Sequence, residues 1–357
     1  MKSILAALPT VVLLLGAGLL NGDRATVVSG GGYFPVLIRL HDGKLMAVLR
    51  GGAPHIGVKG RLDVVTSTDE GKTWSPPRTV IDGPDDDRNP AFGELKNGDL
   101  LLAYAIIHAY DESGLKLLAK SRNERKVDGV YVTRSTDGGK TWSQPALSEK
   151  THALQKNGAT ISPYGKLVQL SDGTVLMSVY YEFFDGRGNQ DFVFRSHDGG
   201  KTWGEPSLVG EHSNETGLVA LANGDLLAAL RSEQGAHLSI TSSKDQGHTW
   251  STPVQITRDN EHPADLIRLK NGDILLTYGE RNQPFGVEAI LSHDAGKTWD
   301  EKSKVILAND ASNRDCGYPS SVQLPSGKIV TMYYQVDNAK DTPASAKAKS
   351  IVWVPQS

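Results

Sequence analysis

Cysteine is nearly absent. Cys316 is the one instance in 357 residues, so no disulfide can form within the chain. Neither sign of charge is in excess: 38 basic and 41 acidic residues leave a net −3. That balance gives no support for nucleic-acid binding or for a polybasic membrane patch. Long apolar runs are missing beyond the N-terminus, so no later stretch reads as a membrane span. The ten histidines show no His-x-x-x-His or Cys/His spacing of a zinc site. No glycine-rich loop lies between a strand and a helix, where a phosphate cradle would sit. The run Gly30-Gly31-Gly32 precedes a strand and reads as a flexible lead-in. No metal and no cofactor are expected.

The one apolar run is at the start. Met1-Lys2-Ser3 is followed by Ile4 to Leu20, broken at Pro9, with small residues at Gly16-Ala17-Gly18. One positive charge, a short apolar core and small residues fit a secretory signal peptide. Residues 1–22 are therefore expected to be a leader and residues 23–357 a single secreted or periplasmic domain. An uncleaved anchor is the alternative.

What the chain has in abundance is repetition, the first thing to seek in a chain of this length. The pattern Ser-x-Asp-x-Gly-x-Thr-Trp occurs at Ser67 to Trp74, Ser135 to Trp142, Ser196 to Trp203, Ser243 to Trp250 and Ser292 to Trp299. Its Asp-x-Gly core has turn chemistry, and its Trp can pack across the hairpin it closes. A second pattern sets a short turn between apolar strands. Those turns end in Gly43, Gly98, Gly173, Gly224, Gly272 and Gly327. Asn-Gly or Asp-Gly between apolar runs is a strong hairpin signal. Six units of four strands predict an all-β, six-bladed β-propeller. The sixth unit lacks the Asp-x-Gly hairpin. Its late strand is expected at Ser350 to Val354, with Ala25 to Val28 closing the ring. The longest insertion, Ala105 to Lys126, is charged and reads as an exposed loop over one face.

In a propeller the first strand of each unit lines the central channel, so equivalent positions converge at its mouth. Nine residues before the turn glycines stand Phe34, Asn89, Tyr164, Glu215, Pro263 and Tyr318. Ten before stand Tyr33, Arg88, Pro163, Asn214, His262 and Gly317. Seven after stand Arg50, Ala105, Tyr180, Arg231, Gly279 and Tyr334, with Arg281 two beyond the fifth. An ordinary sheet would be apolar here. Charges in such places persist when paired or used. A ring of arginines implies an anionic or polyhydroxylated ligand. Tyr318 and Glu215 share a register, which is the arrangement needed to activate a phenol as nucleophile. The repeated Asp-x-Gly hairpins read as staples remote from that chemistry.

At these residues the chain resembles the sialidase (neuraminidase) superfamily with Asp-box, or BNR, repeats, from about Tyr33 to the end. The resemblance implies a six-bladed propeller. It also implies a tyrosine nucleophile paired with a glutamate, an aspartate acid/base and three arginines on the sugar carboxylate. A tyrosine nucleophile is a recognised exception among glycosidases. Tyr318 through Leu324 is similar to the family's nucleophile motif, Asn214-Glu215 to its glutamate motif, Arg231 to the arginine on the following strand, and Arg50 to the arginine after the first hairpin. The chain also departs from the pattern. Tyr33-Phe34-Pro35 stands where the family has Arg-Ile-Pro, and Gln335 stands where it has the supporting glutamate. Phe285-Gly286 falls where the last arginine is expected, with Arg281 the candidate to substitute for it. No aspartate lies between Arg50 and Asp63, which leaves His55 or Asp87 as the acid/base.

The resulting expectation is a secreted, monomeric exo-glycosidase of the sialidase-like class. Its substrate would be a glycan or oligosaccharide ending in an acidic sugar, most simply sialic acid. Tyr318 and Glu215, with His55 or Asp87, are the expected catalytic residues. Arg50, Arg88, Arg231, Arg281, His262 and Tyr164 are the expected substrate contacts. The alternatives are an exo-glycosidase for another terminal sugar and a non-catalytic carbohydrate-binding propeller. No nucleic-acid partner is expected, and no membrane span after leader removal.

Overall fold

The computed structural model describes residues 19–108, 110–111, 113–115, 127–154, 159–183, 185–337, 342 and 345–355. Most of the expected leader, residues 1–18, lies outside the described residues. Leu19 and Leu20 are described and lie against Ile306, the Leu20 N–H donating to the Ile306 carbonyl at 2.9 Å.

Among the described residues the chain runs through 24 strands and one short helix. After β1 (Asp23–Ser29) comes β2 (Tyr33–Arg39), β3 (Leu45–Gly51), β4 (Arg61–Ser67) and β5 (Arg78–Ile81), then β6 (Asp86–Glu94), β7 (Leu100–Ile107), β8 (Val127–Ser135) and β9 (Ala146–Leu147). Helix α1 (Glu149–Ala153) leads to β10 (Ala159–Gln169), β11 (Val175–Phe183), β12 (Gly188–Ser196) and β13 (Gly204–Glu211). Next are β14 (Ser213–Ala220), β15 (Leu226–Ser232), β16 (Leu238–Ser243) and β17 (Val254–Gln255), and then β18 (Glu261–Arg268), β19 (Ile274–Glu280), β20 (Gly286–Ser292) and β21 (Asp300–Ala308). The last are β22 (Cys316–Gln323), β23 (Ile329–Val336) and β24 (Ala346–Trp353).

Consecutive strands pair antiparallel in runs of four, and β1 pairs with β24 to complete the last run. Four of these runs are separate sheets. The runs β6–β9 and β10–β13 share one eight-stranded sheet, joined by a parallel pairing of Gly165 and Lys166 with Ala91 and Phe92. The architecture is all-β and propeller-like, but its sheets are four blades plus one double sheet, not six separate blades. A local insertion explains the difference. The innermost strands β2, β6, β14, β18 and β22 each carry a bulge in which two residues oppose one. In β10 the same place has three residues opposing one, Gly165 to Leu167 against Met177. The extra residue frees Gly165 and Lys166 to reach β6.

Turn chemistry fixes each innermost hairpin. A leucine opens every turn: Leu40, Leu95, Leu170, Leu221, Leu269 and Leu324. Each donates its N–H to the carbonyl four residues on, at 2.8 Å. The Asp-x-Gly hairpins lie between the third and fourth strands. In each, Ser Oγ donates to Asp Oδ1 at 2.7–2.9 Å and accepts the Gly N–H at 2.7–2.9 Å. Their tryptophans join the apolar clusters between neighbouring runs. The Trp74 indole N–H reaches Ser350 on β24 at 3.1 Å. The motif therefore staples one run to the next as well as closing its own hairpin.

An ion pair ties three of the innermost strands together. The Lys166 ammonium donates to Asp265 Oδ1 and Oδ2 at 2.7 and 2.6 Å and to the Ser321 carbonyl at 2.9 Å, tying β10, β18 and β22. The site lies at the N-terminal ends of the innermost strands β6, β10, β14 and β22.

Candidate active site

Bulges aim the central residues. Tyr318 on β22 and Glu215 on β14 sit in their strand bulges with φ of 48° and 47°, and Phe34 and Asn89 sit in theirs at 52°. A bulge re-aims a side chain that regular pleating would send to one sheet face. The Tyr318 hydroxyl donates to Glu215 Oε1 at 2.5 Å, and Arg231 on β15 donates to Glu215 Oε2. Burial pushes the Tyr318 phenol up, and the Glu215 charge pushes it further, so the hydroxyl keeps its proton. Burial would also raise Glu215. The Arg231 charge and the Tyr318 hydrogen bond outweigh it and hold the carboxyl below its ordinary value. An ionised base therefore faces a protonated phenol.

The pair opens on a cavity of about 260 Å³. Arg88, Arg231 and Arg281 reach it from three sides, and Thr160, Ser162, Tyr180 and Glu182 supply hydroxyls and a carboxylate from β10 and β11. The Arg281 guanidinium donates to the Cys316 carbonyl at 3.2 and 3.1 Å and lies 5.4 Å from the Tyr318 ring centre. Arg88 donates to Asp86 Oδ2 at 3.3 Å and lies 5.5 Å from the Phe34 ring centre.

His55 is the acid/base candidate brought to the cavity. It sits on the 52–60 loop with Nδ1 2.9 Å from Asp315 Oδ1, and its ring meets Phe34 edge-on at 4.9 Å. Asp87 is not brought there. It lies on the opposite face of β6 from Asp86 and Arg88, as pleating requires, with Oδ2 accepting the Gly83 N–H at 2.6 Å. Burial raises its carboxyl to about 6.

Arg50 is also kept from the cavity. It is fully buried, bound to Asp86 Oδ1 at 2.9 and 2.5 Å and to the Pro54 and Gly57 carbonyls at 2.5 and 2.9 Å. Its guanidinium holds the loop that carries His55. The insertion read as a loop over one face contributes Tyr110, whose hydroxyl donates to Asp86 and accepts the Gly57 N–H at 3.3 Å. Residues 116–126 of that insertion lie outside the described residues. Tyr164 lies below the cavity, its hydroxyl donating to the Ala264 carbonyl at 3.1 Å and its ring 6.4 Å from Tyr318. His262 is buried behind the arginines. Burial, then the charges of Arg231 and Arg281, push it far down, so its ring is neutral.

Where the resemblance implies an arginine, Tyr33 and Phe34 pack against Tyr334 and Tyr318 in an aromatic cluster. Gln335 is buried and bonded to Asp337 at 2.9 Å. Sequence reasoning passed over Asp86, Asp315 and Glu182. Asp86 carried one usable signal, its i−2 spacing from Arg88 on a strand. Three carboxylates that could hold a cation, Glu261, Glu280 and Glu288, come within 4.8 Å of one another. Arg258 and Lys304 already contact them, at 2.6–2.8 Å for Glu261, Glu280 and Glu288.

A family model described as a BNR repeat-like domain matches residues 88–331. The chain belongs to that family. This BNR repeat protein falls in the sialidase superfamily. It is 26% identical to a sialidase of Bacteroides fragilis over 62% of its own length and 42% of the relative's. It is 26% identical to a sialidase of Micromonospora viridifaciens over 84% of itself and 49% of the relative. The chain thus spans about half the length of these curated relatives. In fold it is similar to a Dyadobacter fermentans protein of unknown function, with a TM-score of 0.79 and 24% identity over 93% of this chain and 98% of the other. It is also similar to a Penicillium chrysogenum α-L-arabinanase, with a TM-score of 0.62 and 14% identity over 93% and 98%. The fold is that of sialidase-like glycoside hydrolases, and among the described residues no helix is long and apolar enough to cross a membrane.

Proposed function

We propose that this BNR repeat protein is an exo-glycosidase that removes a terminal acidic sugar, most simply sialic acid, with retention of configuration. The observation that carries the reading is the chain Tyr318–Glu215–Arg231 opening on the cavity that Arg88 and Arg281 share. The Tyr318 oxygen bonds to the anomeric carbon while its proton passes to Glu215. The glycosidic C–O bond breaks, its electron pair leaving with the aglycone oxygen, which takes a proton from His55. Water, deprotonated by His55, then attacks the same carbon. The electron pair returns to the Tyr318 oxygen, which recovers its proton from Glu215. A neutral phenol approaches an anionic sugar with less repulsion than a carboxylate. His55 is favoured over Asp87 because it shares the cavity with Tyr318.

The cavity is smaller than the roughly 300–1,000 Å³ typical of drug-sized ligand sites, which suits one terminal sugar. Arg231 and Arg88 already face carboxylates, so Arg281 is the arginine best able to take the substrate's carboxylate. Counting the double sheet as two runs gives the six-bladed ring. Leader removal at residues 1–22, secretion, a single domain over 23–357 and a monomeric state belong to the same proposal.

The aromatic cluster at Tyr33 and Phe34, in place of an arginine, favours a second reading: an exo-glycosidase for another terminal sugar. A third reading, non-catalytic glycan binding, predicts affinity without turnover. The test is hydrolysis of an aryl sialoside and a panel of neutral aryl glycosides by wild type and Tyr318→Phe. Turnover of the sialoside, reduced on the order of 10³-fold by the substitution, is expected. Turnover of a neutral glycoside alone, or an unaffected variant, would reject it.

A further inference from the structure

We infer that Asp315 is the positioning residue of the His55 acid/base and that, with Tyr334, it sets which nitrogen of His55 serves the glycosidic oxygen. The inference rests on the glycosidase reading above. It takes up a carboxylate that neither the repeat pattern nor the family resemblance singles out. Asp315 precedes β22, three residues before Tyr318. Its Oδ1 receives two bonds, from His55 Nδ1 at 2.9 Å and from the Tyr334 hydroxyl at 2.5 Å. Its backbone is braced as well, with its N–H donated to Asn313 Oδ1 at 2.7 Å and its carbonyl accepting Val336 N–H at 3.2 Å. Burial works against the Asp315 charge, but the bonds from His55 and Tyr334 and the nearby Arg281 outweigh it. The carboxylate is therefore ionised.

An ionised carboxylate on one ring nitrogen fixes the tautomer and orientation of an imidazole. With Nδ1–H given to Asp315, the proton delivered to the leaving oxygen travels on Nε2. The ring plane is set from the other side by Phe34, edge-on at 4.9 Å, and by Tyr33 at 6.0 Å. Phe34 in turn packs on Tyr318 at 4.8 Å. Acid and nucleophile are therefore spaced by one shared aromatic wall. Two departures from the family pattern then become one change. Aromatic residues replace an arginine at 33–34, and a histidine held by Asp315 and walled by those aromatics takes the acid's place.

The test compares two substrates with the same sugar: an aryl sialoside, whose leaving group needs little protonation, and sialyllactose, whose sugar alcohol needs much. In the full chain, Asp315→Asn and His55→Gln are each expected to lose on the order of 10²–10⁴-fold in kcat/KM on sialyllactose. Each should lose about tenfold or less on the aryl sialoside. Tyr334→Phe, which removes one bond and leaves the carboxylate, should show the same bias in weaker form. Equal losses on both substrates would make Asp315 a fold residue only and overturn the inference. Ring ¹⁵N shifts give a readout independent of turnover. Wild-type His55 should be protonated at Nδ1, and Asp315→Asn should change that. An unchanged tautomer overturns the positioning role even if both substrates are cleaved. A wild type that cleaves neither substrate but keeps the tautomer overturns the glycosidase reading and leaves only a structural pair.

Discussion

At the scale of single residues, the site is a set of charges that burial would neutralise and neighbours hold in place. Glu215 shows it most clearly, ionised between Arg231 and the Tyr318 hydroxyl. Glu215→Gln keeps the shape and removes the base. It should lower kcat on the order of 10²–10⁴-fold and lower the thermal midpoint, because Arg231 loses its carboxylate. A variant with wild-type kcat would remove Glu215 from the mechanism. The meeting of Tyr318, Glu215 and Arg231 was legible in the sequence because repeated turn glycines let offsets be matched between units. Arg50 met the same criterion, yet its guanidinium turns to Asp86 and two loop carbonyls. An offset fixes a position on a strand but not the partner a long side chain chooses. Asp315 was illegible for the converse reason: it lies outside the repeated strand pattern, and its partners His55 and Tyr334 are 260 and 19 positions away.

At the scale of elements, the recurring bulge is what aims side chains of the innermost strands into the cavity. It holds Tyr318 at positive φ next to Gly317, itself at φ 100°. A Cβ on Gly317 would stand 2.8 Å from the Gly279 Cα, so strand β22 cannot keep its place with a larger residue there. Gly317→Ala should therefore shift Tyr318 and reduce kcat at least tenfold. Ser196→Ala, which removes two bonds from a hairpin away from the cavity, should cost about 1–3 kcal/mol and leave kcat and KM unchanged. Unfolding and kinetics on the two variants separate the roles. The opposite pattern, activity lost in Ser196→Ala and kept in Gly317→Ala, would contradict them. Strands, turns and Asp boxes could be read from sequence because each has local chemistry. The bulges could not, because positive φ at Phe34, Asn89, Glu215 and Tyr318 has no glycine to announce it.

At the scale of the molecule, six runs of four strands were legible from six turns and five Asp boxes. The union of the second and third runs was not. It depends on one extra residue in the β10 bulge, which only pairing reveals. The molecule also carries opposed pH responses. Burial raises Asp87 to about 6 and Asp191 to about 7. Their folded values exceed the unfolded one, so the native state binds more protons and stability falls as pH rises from about 4 to 7. Asp69 and Asp294 are held at about 2, chiefly by bonds from Thr73 and Thr298. The stability they add is present above about pH 4 and fades as pH falls toward 2, weakly because these groups are exposed. The thermal midpoint should therefore peak in mildly acidic buffer, near pH 4–5. A midpoint that climbs steadily from pH 5 to 8 would contradict this assignment.

The central claim is that Tyr318 forms a covalent bond to the sugar. A fluorinated sialosyl fluoride that forms the glycosyl-enzyme quickly and releases it slowly tests this directly, read by intact mass and peptide mapping. The account predicts one sugar adduct per chain, on the peptide containing Tyr318, and none in Tyr318→Phe. Turnover of a sialoside without any adduct, or an adduct on another residue, would contradict it.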